Sequence, residues 1–257
     1  MELAGLSKSK LKLYSSLSLK KYRYKLGQFI VEGHKMVTEA VRSGWEVEAL
    51  LLLEGTDPVG WEPNGRPVYS VSAGQLRQLS QQKSPEGALA VVNFPFLGQE
   101  SVDLIEHWPT GPGFILEDIQ DPGNLGTLVR TADWFGFKHI ICSKGTVDAF
   151  NPKALRSSMG SIFRVKIHYV EAWLPLIEAM GDHIWVADLR GEPLQSAELG
   201  KQDYILIGNE AKGISSMISD LPGLKRLHIP GAGGAESLNA AISAGIMGWQ
   251  LFCRGKL

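Results

Sequence analysis

LHIPGAGGAESLNAAISAGIMGWQLFCRG, residues 227–255, is the stretch on which the fold turns. An apolar strand pattern stops at Pro230, and four small residues follow as Gly231, Ala232, Gly233 and Gly234. From Ser237 the chain reads as a helix that is apolar or small nearly all round. Such a helix is buried on several sides, so the segment belongs to a layered core. Ser237 has the chemistry of an N-cap. Asn239 then falls in the first turn of a greasy helix, where a buried amide needs a partner or bonds locally near the helix start.

Working back from this segment, "FILE" (114–117), "KHIICS" (138–143), "HIWVAD" (183–188), "YILIG" (204–208) and "LKRLHI" (224–229) read as strands. "NLGTLVRTADWFG" (124–136) and "NPKALRSSMG" (151–160) lie between them with helical spacing. Alternation of this kind predicts an α/β fold with a mostly parallel sheet covered by helices on both faces. Ligands of such sheets gather at the carboxyl ends of the strands.

The first hundred residues predict a separate, smaller α/β unit. A basic helical stretch precedes "FIVEG" (29–33) as a strand, "HKMVTEAVRSG" (34–44) as a helix and "VEALLLL" (47–53) as a strand. Met36, Val37, Ala40 and Val41 form the helix's apolar stripe, and Gly44 follows as its C′ residue. "RPVYSV", "SAGQLRQLS" with Ser72 as cap, and "GALAVVNF" continue as strand, helix and strand. Between Asn93 and Gly113 three prolines and several polar breaks mark a connection. The boundary is placed near residue 108, which gives domains 1–108 and 109–257.

Composition bounds the function. The chain has 257 residues, 44% of them hydrophobic and 21% charged, which suits one large or two modest water-soluble domains. No apolar run approaches the roughly 18 residues of a membrane span. The N-terminus has no signal-peptide h-region, and Cys142 and Cys253 stand far apart, so a reducing cytoplasm is expected. Six scattered histidines without ligand spacing argue against a metal site. Net charge is −1, yet residues 1–35 concentrate Lys8, Lys10, Lys12, Lys20, Lys21, Arg23, Lys25 and Lys35 against Glu2 and Glu32. Tyr14, Tyr22 and Tyr24 are interleaved. Lysines neutralise phosphates and tyrosine rings stack on unpaired bases, which suits nucleic acid; a solvated helical face is the plainer alternative.

Three strand ends carry the candidate chemistry. In "FILEDIQDPGNLGTLVRTADWFGF" Asn124 is the expected N-cap, and Leu125, Leu128, Val129 and Ala132 form the buried stripe. That leaves Gly126, Arg130 and Asp133 on the opposite face, where Arg130 either binds a ligand or pairs with Asp133. In "YILIGNEAKGIS" (204–215) Gly208 ends the strand, and Glu210 either caps a helix begun at Gly213 or lines a pocket at the sheet edge. The third is the glycine-rich segment after Ile229. Its Gly231-Ala-Gly233 does not continue as G-x-G-x-x-G, because the sixth position is Glu236, and no Walker G-K-[ST] occurs. A loop of small residues without a cation suits a nucleoside lacking phosphates, held by backbone hydrogen bonds.

Taken together, Asn124 with Arg130, then Gly208, Glu210 and Gly213 as G-x-E-x-x-G, then Ile229-Pro230 leading to Ser237-Leu238-Asn239, resemble the three ordered motifs of the SpoU/TrmH family. These are S-adenosylmethionine-dependent RNA ribose 2′-O-methyltransferases of the SPOUT superfamily. The resemblance covers roughly residues 114–252 and includes "NPKALRSSMGSIFR". Gly231, Ala232, Ala240 and Ala241 depart from the usual pattern. "KKYRYKLGQFIVEGHKMVTEAV" is similar to the ribosomal-protein-like RNA-binding domain that many such enzymes carry.

The resemblance implies a C-terminal trefoil-knotted methyltransferase domain, S-adenosyl-L-methionine as cofactor held by backbone at Gly208, Ile229 and Leu238, and a catalytic site shaped by Asn124, Arg130, Glu210, Ser237 and Asn239. It implies a homodimer with sites composed at the subunit interface; the small residues Ala240, Ala244 and Gly248 fit close packing there and equally a monomer core. The family assigns Arg130 the proton-acceptor role. A guanidinium stays charged in proteins, so a phosphate clamp that also stabilises the developing oxyanion is the favoured reading, with phosphate or water sharing the proton. Ribosomal RNA is favoured over transfer RNA because of the extra RNA-binding domain. The alternatives are a ribosome-associated RNA-binding protein with an idle pocket and, from another class, a nucleotide-dependent oxidoreductase, which the missing phosphate fingerprint disfavours.

Overall fold

The computed structural model describes residues 3–57, 60, 61, 65–95 and 107–254. Most of the expected connection between the two units, residues 96–106, lies outside the described residues.

The N-terminal unit contains β1 (Ala4–Gly5), α1 (Lys8–Ser16), α2 (Lys20–Leu26), β2 (Gln28–Glu32), α3 (His34–Arg42), β3 (Val47–Leu53), β4 (Val68–Val71), α4 (Ala73–Leu79) and β5 (Ala88–Asn93). Its sheet runs β1-β4-β3-β5-β2, with β5 antiparallel to both β2 and β3 and the remaining pairs parallel. Local chemistry sets these elements. Ser72 and Gln75 form the capping box that starts α4. Gly27 ends α2 with φ +68°, a left-handed conformation in which a side chain would be strained.

The second unit contains β6 (Gly113–Leu116), α5 (Pro122–Trp134), β7 (His139–Ser143), α6 (Pro152–Ser158), β8 (Lys166–Val170), α7 (Trp173–Met180), β9 (Ile184–Pro193), β10 (Tyr204–Ile207), α8 (Ser216–Ser219), β11 (Lys225–His228) and α9 (Ala240–Arg254). Six strands in the order β11-β9-β10-β6-β7-β8 pair in parallel throughout. This is the expected parallel α/β sheet. β10 and β6 sit at its centre, so the carboxyl ends of the two strands that precede Glu210 and Asn124 lie side by side.

Several local expectations are corrected. α5 is capped by Asp121, whose Oδ1 accepts from Asn124 N at 3.0 Å, with Pro122 in the first turn. A proline there preorganises the helix start and loses no needed donor, which leaves the Asn124 side chain free to point elsewhere. Gly126 is buried: an added Cβ would lie 2.3 Å from Ala154 O and 2.6 Å from Ser157 Cβ, so α5 and α6 touch at this glycine. α9 begins at Ala240, and Asn239 caps it in place of Ser237, its Oδ1 accepting from Ala241 N at 2.9 Å. The helix is also less enclosed than expected. Ala241, Ala244, Met247, Gly248 and Leu251 are buried, with Gly248 against the ring of Phe114, whereas Ile242 and Trp249 are each 56% exposed.

The two units share one apolar cluster that runs from Phe29, Val37 and Leu50 to Phe114, Leu128 and Phe163. Phe150 packs with tilted rings against Phe94 and Phe29, with centroids 4.4 and 4.8 Å away. Arg164 spans the junction, bonding Glu39 of α3 and, at 2.9 Å, Asp133 of α5. The cysteines are free, and burial pushes the Cys142 thiol far above its usual range. Among the described residues no helix is long and apolar enough to cross a membrane, and no group of three or more His, Cys, Asp or Glu side chains is placed to hold a metal.

Candidate active site

The site grows from the end of β6. Glu117 leaves the strand buried, and its carboxylate accepts from Ser215 N at 2.9 Å, Ser215 Oγ at 2.6 Å and Trp173 Nε1 at 3.3 Å. A buried carboxylate is tolerated when its lone pairs are filled in this way. Asp118 follows with φ +53°. Its carboxylate takes the Ser143 hydroxyl at 2.5 Å and its carbonyl takes Asn209 Nδ2 at 2.8 Å. Asp118 is therefore held in a left-handed conformation that few residues other than glycine adopt. These bonds lace the β6–α5 segment to the loop after β10.

Glu210 completes that lacing. Its carboxylate accepts from Gln120 N at 3.0 Å, Asp121 N at 3.1 Å and Asn124 Nδ2 at 3.0 Å. α8 starts only at Ser216 after Ser215, so Glu210 serves the segment leading into α5 and caps no helix of its own loop. Partial burial on its own would raise the Glu210 carboxyl; hydrogen bonds from Asn124 and from the backbone of Gln120, Glu210 and Asp121 outweigh it and hold the group below the usual glutamate range. Asn124 Oδ1 in turn accepts from Asn239 Nδ2 at 3.0 Å. Glu210 and Asn239, from two loops, and Asn124, from the first turn of α5, thus form one continuous hydrogen-bonded chain. The partner that Asn239 required is Asn124.

Arg130 lies two turns along α5, exposed, and its side chain makes no hydrogen bond or ion pair with other described residues. The surface pair with Asp133 does not form; Asp133 Oδ2 accepts from Arg164 Nε at 2.9 Å instead. Ser237 is likewise exposed and without a hydrogen bond among the described residues. A cation left unpartnered beside a preorganised polar cluster is available to an anionic ligand.

Gly208, Ile229 and Leu238 border the same edge. At Gly208 the loop turns back so tightly that an added Cβ would lie 2.5 Å from the Gly213 carbonyl carbon. Among the described residues, the backbone groups of Gly208, Ile229 and Leu238 make no hydrogen bond. Added Cβ atoms at Gly231, Gly233 and Gly234 would meet nothing within 4 Å, so the loop between Ile229 and Leu238 is open. Free backbone donors and acceptors beside an open glycine loop that carries no cation fit a phosphate-free nucleoside. They offer no cation for a diphosphate.

Residues 113–249 match the model of the SpoU rRNA Methylase family. The chain belongs to that family. Residues 8–90 match the MRM3-like substrate binding domain. Over 94% of this chain and 95% of the other, it is 31% identical to a 23S rRNA (guanosine(2553)-2′-O)-methyltransferase of Bacillus subtilis. A TrmH-family structure from Porphyromonas gingivalis superposes with TM-score 0.84 at 30% identity, covering 98% of this chain and 100% of the other. An AdoMet-bound rRNA methyltransferase from Sinorhizobium meliloti superposes with TM-score 0.82 at 27% identity, covering 98% and 97%. The strand ends that carry Asn124, Glu210 and Asn239, which the fold brings together, all lie within residues 113–249.

Sequence reasoning singled out Asn124, Glu210 and Asn239, which the structure joins, and Arg130, which stands outside their hydrogen bonds, but it passed over Glu117, Asp118, Gln120 and Asn209, which hold the loops. Glu117 carried a signal, a carboxylate directly after an apolar strand. Asn209 carried another: its Oδ1 accepts from Ala211 N and Lys212 N, the local turn that asparagine favours.

Proposed function

We propose that this protein transfers a methyl group from S-adenosylmethionine to a ribose 2′-hydroxyl of RNA, with ribosomal RNA as the substrate before transfer RNA. The observation that carries the reading is the Glu210–Asn124–Asn239 chain, which locks three sequence-distant segments at one sheet edge near the unpartnered Arg130. The relative in Bacillus subtilis is named for 2′-O-methylation of 23S rRNA, and that activity is transferred here as part of the proposal.

When bound, the cofactor supplies an electrophilic methyl group on a positively charged sulfur. The backbone at Gly208, Ile229 and Leu238 holds it. Arg130 grips the phosphate next to the target ribose and stabilises negative charge as it develops on the 2′-oxygen. Asn124 and Asn239 keep the loop in the geometry that aligns that oxygen, since positioning supplies much of the acceleration in such displacements. Ser237 lies exposed beside them and contacts the RNA or the cofactor's tail. The proton of the 2′-hydroxyl leaves to a phosphate oxygen or water, and Arg130 remains charged.

Three finer features belong to the same reading. The segment from Ile229 to Asn239 returns from edge strand β11 to reach Asn124 beyond β10, a path consistent with a trefoil knot around residues 208–215. The N-terminal unit is the RNA-binding domain, joined to the methyltransferase domain near residue 108. The exposed stripe of Ile242, Ile246 and Trp249 on α9, with Trp134 at 84% exposure, is the surface of a homodimer, since contiguous apolar patches on soluble proteins mark contacts. The protein acts in the cytoplasm.

Calorimetry with S-adenosylmethionine, followed by mapping of 2′-O-methyl sites in rRNA and tRNA from cells with and without the gene, tests the reading. Cofactor binding and one rRNA site lost with the gene are expected. No cofactor binding, or loss confined to tRNA, would overturn the activity or the substrate respectively. Replacing Arg130 by Lys tests its role: turnover falls at least tenfold with cofactor affinity unchanged, whereas retained turnover would show that a bidentate cation is unnecessary.

A further inference from the structure

The basic N-terminal stretch divides into two sets of side chains once its contacts are placed. Arg23 is 3% exposed; its Nη1 donates to Leu17 O at 3.0 Å and Ser18 O at 2.9 Å, and its Nη2 to Asp148 Oδ2. The Tyr24 hydroxyl donates to Asp148 Oδ1 at 3.0 Å, and Tyr14 is buried. These residues are committed to packing and docking. Lys20, Lys21, Tyr22 and Lys25 of the same helix α2 remain exposed, so the tyrosine able to stack on a base is Tyr22.

The docking point matters. Asp148 lies in the segment that leaves the carboxyl end of β7, on the catalytic side of the sheet. Its neighbour Val147 donates through N to Ile119 O at 2.8 Å, Thr146 Oγ donates to Leu116 O at 3.1 Å, and Gln120 Nε2 donates to Gly145 O at 2.8 Å. Gln120 N is itself one of the donors to Glu210. An unbroken run of short contacts therefore links α2 to the Glu210–Asn124–Asn239 chain within a single subunit. A buried, hydrogen-bonded ion pair is a poor source of net stability but strongly resists losing one partner, which suits a joint that fixes orientation.

We infer that the outward face of α2, formed by Lys20, Lys21, Tyr22 and Lys25, docks the RNA strand flanking the target nucleotide, held at a set reach from Asn124 and Arg130 of the same chain by the Arg23–Asp148 joint. This rests on the RNA methyl-transfer reading. The lysines neutralise backbone phosphates and Tyr22 stacks on an unpaired base, a combination that binds single strands without a fixed sequence. Leu19, 58% exposed at the start of the helix, adds apolar contact.

The test compares wild type with the triple variant Lys20→Ala, Lys21→Ala, Lys25→Ala, and with a control triple Lys83→Ala, Lys138→Ala, Lys201→Ala of equal charge loss. Lys138 and Lys201 precede β7 and β10 and so lie at the amino-terminal side of the sheet. RNA affinity is measured against salt, and kcat and KM against the rRNA fragment that the wild type methylates. For three phosphate contacts on a single strand, the slope of log Kd against log salt falls by about 2 in the α2 triple. KM for RNA rises at least tenfold there, kcat stays within twofold, and S-adenosylmethionine affinity is unchanged, which also reports an intact fold. The control triple keeps the wild-type slope. Wild-type slope and KM in the α2 triple, or an equal loss in the control, overturns the docking surface while leaving the methyl-transfer reading in place. Absence of turnover in the wild type defeats the methyl-transfer reading instead.

Discussion

Replacing Glu210 by Gln changes one oxygen to an amide while keeping the side chain's shape, so it isolates the charge at the centre of the loop lock. The carboxylate accepts three hydrogen bonds, two of them on Oε1 from Asp121 N and Asn124 Nδ2 and one on Oε2 from Gln120 N. Bonds to an ionised acceptor contribute about 1.5–3 kcal/mol each, against about 0.5–1.5 for neutral ones. If the glutamine oxygen takes the Oε1 position, two bonds weaken by about 1 kcal/mol each, and the amide then faces Gln120 N–H as donor against donor. Glu210 stays open to solvent, and water compensates part of this loss, so a net destabilisation of about 1–3 kcal/mol is expected.

For a chain of this size each kcal/mol moves Tm by about 2–4 °C, which places the drop between about 2 and 12 °C at pH 7. The pH dependence has a definite sign. Glu210 has a folded-state pKa below its unfolded value, so its stabilisation is complete above the unfolded pKa and is lost as pH falls through the folded one. The Tm gap between wild type and variant is therefore flat above about pH 5 and narrows below about pH 4.3. Differential scanning calorimetry across this range measures the gap, and titration with S-adenosylmethionine reads the accompanying rise in Kd, about tenfold for about 1.4 kcal/mol of loop misplacement. A variant that matches wild type in both Tm and cofactor Kd at pH 7, or a gap that widens on acidification, would refute the reasoning.

Gly126→Ala places a methyl group 2.3 Å from Ala154 O at the α5–α6 contact; overpacking of about 1–3 kcal/mol lowers Tm by several degrees in spite of alanine's better helix propensity, as calorimetry will read. Trp249→Glu on the exposed face of α9 converts a dimer to a monomer in sedimentation velocity, and a wild type that sediments as a monomer removes the dimer proposal.

How much of this was legible beforehand follows from which interactions are local. The parallel sheet was readable because buried parallel strands are continuous apolar runs such as "YILI" and "FIL". β8, "KIHYV", escaped because as an edge strand it mixes polar and apolar residues, with Lys166 exposed. α7, "WLPLIEAM", escaped because it carries a proline in its first turn and no capping side chain. β1 has two residues and no periodicity to detect. The helix starts failed for one shared reason: where two residues capable of capping stand close together, as Asp121 with Asn124 and Ser237 with Asn239, local propensity does not choose between them.

That ambiguity has a physical resolution which bears on function. At the start of α5 the residue of the pair that caps is Asp121, and Asn124 is released to bond Glu210 and Asn239. At α9 the cap is Asn239, whose Oδ1 serves its own helix while its Nδ2 reaches Asn124. An amide does both with two separate atoms, so each bond takes its own direction, where a serine hydroxyl would have to accept and donate through one oxygen. Asparagine is thus well suited to terminate a helix and join it to a neighbouring segment in one side chain. The same physics explains the charge pattern: Glu210 as an acceptor-only group can gather two backbone N–H groups and an amide at one point, which no neutral side chain does with equal strength. Arg130 is left out of that network, and a guanidinium held by neighbours would have to break those bonds before gripping an incoming phosphate. Its separation from Asp133, which pairs with Arg164, keeps its five donors available to the anion.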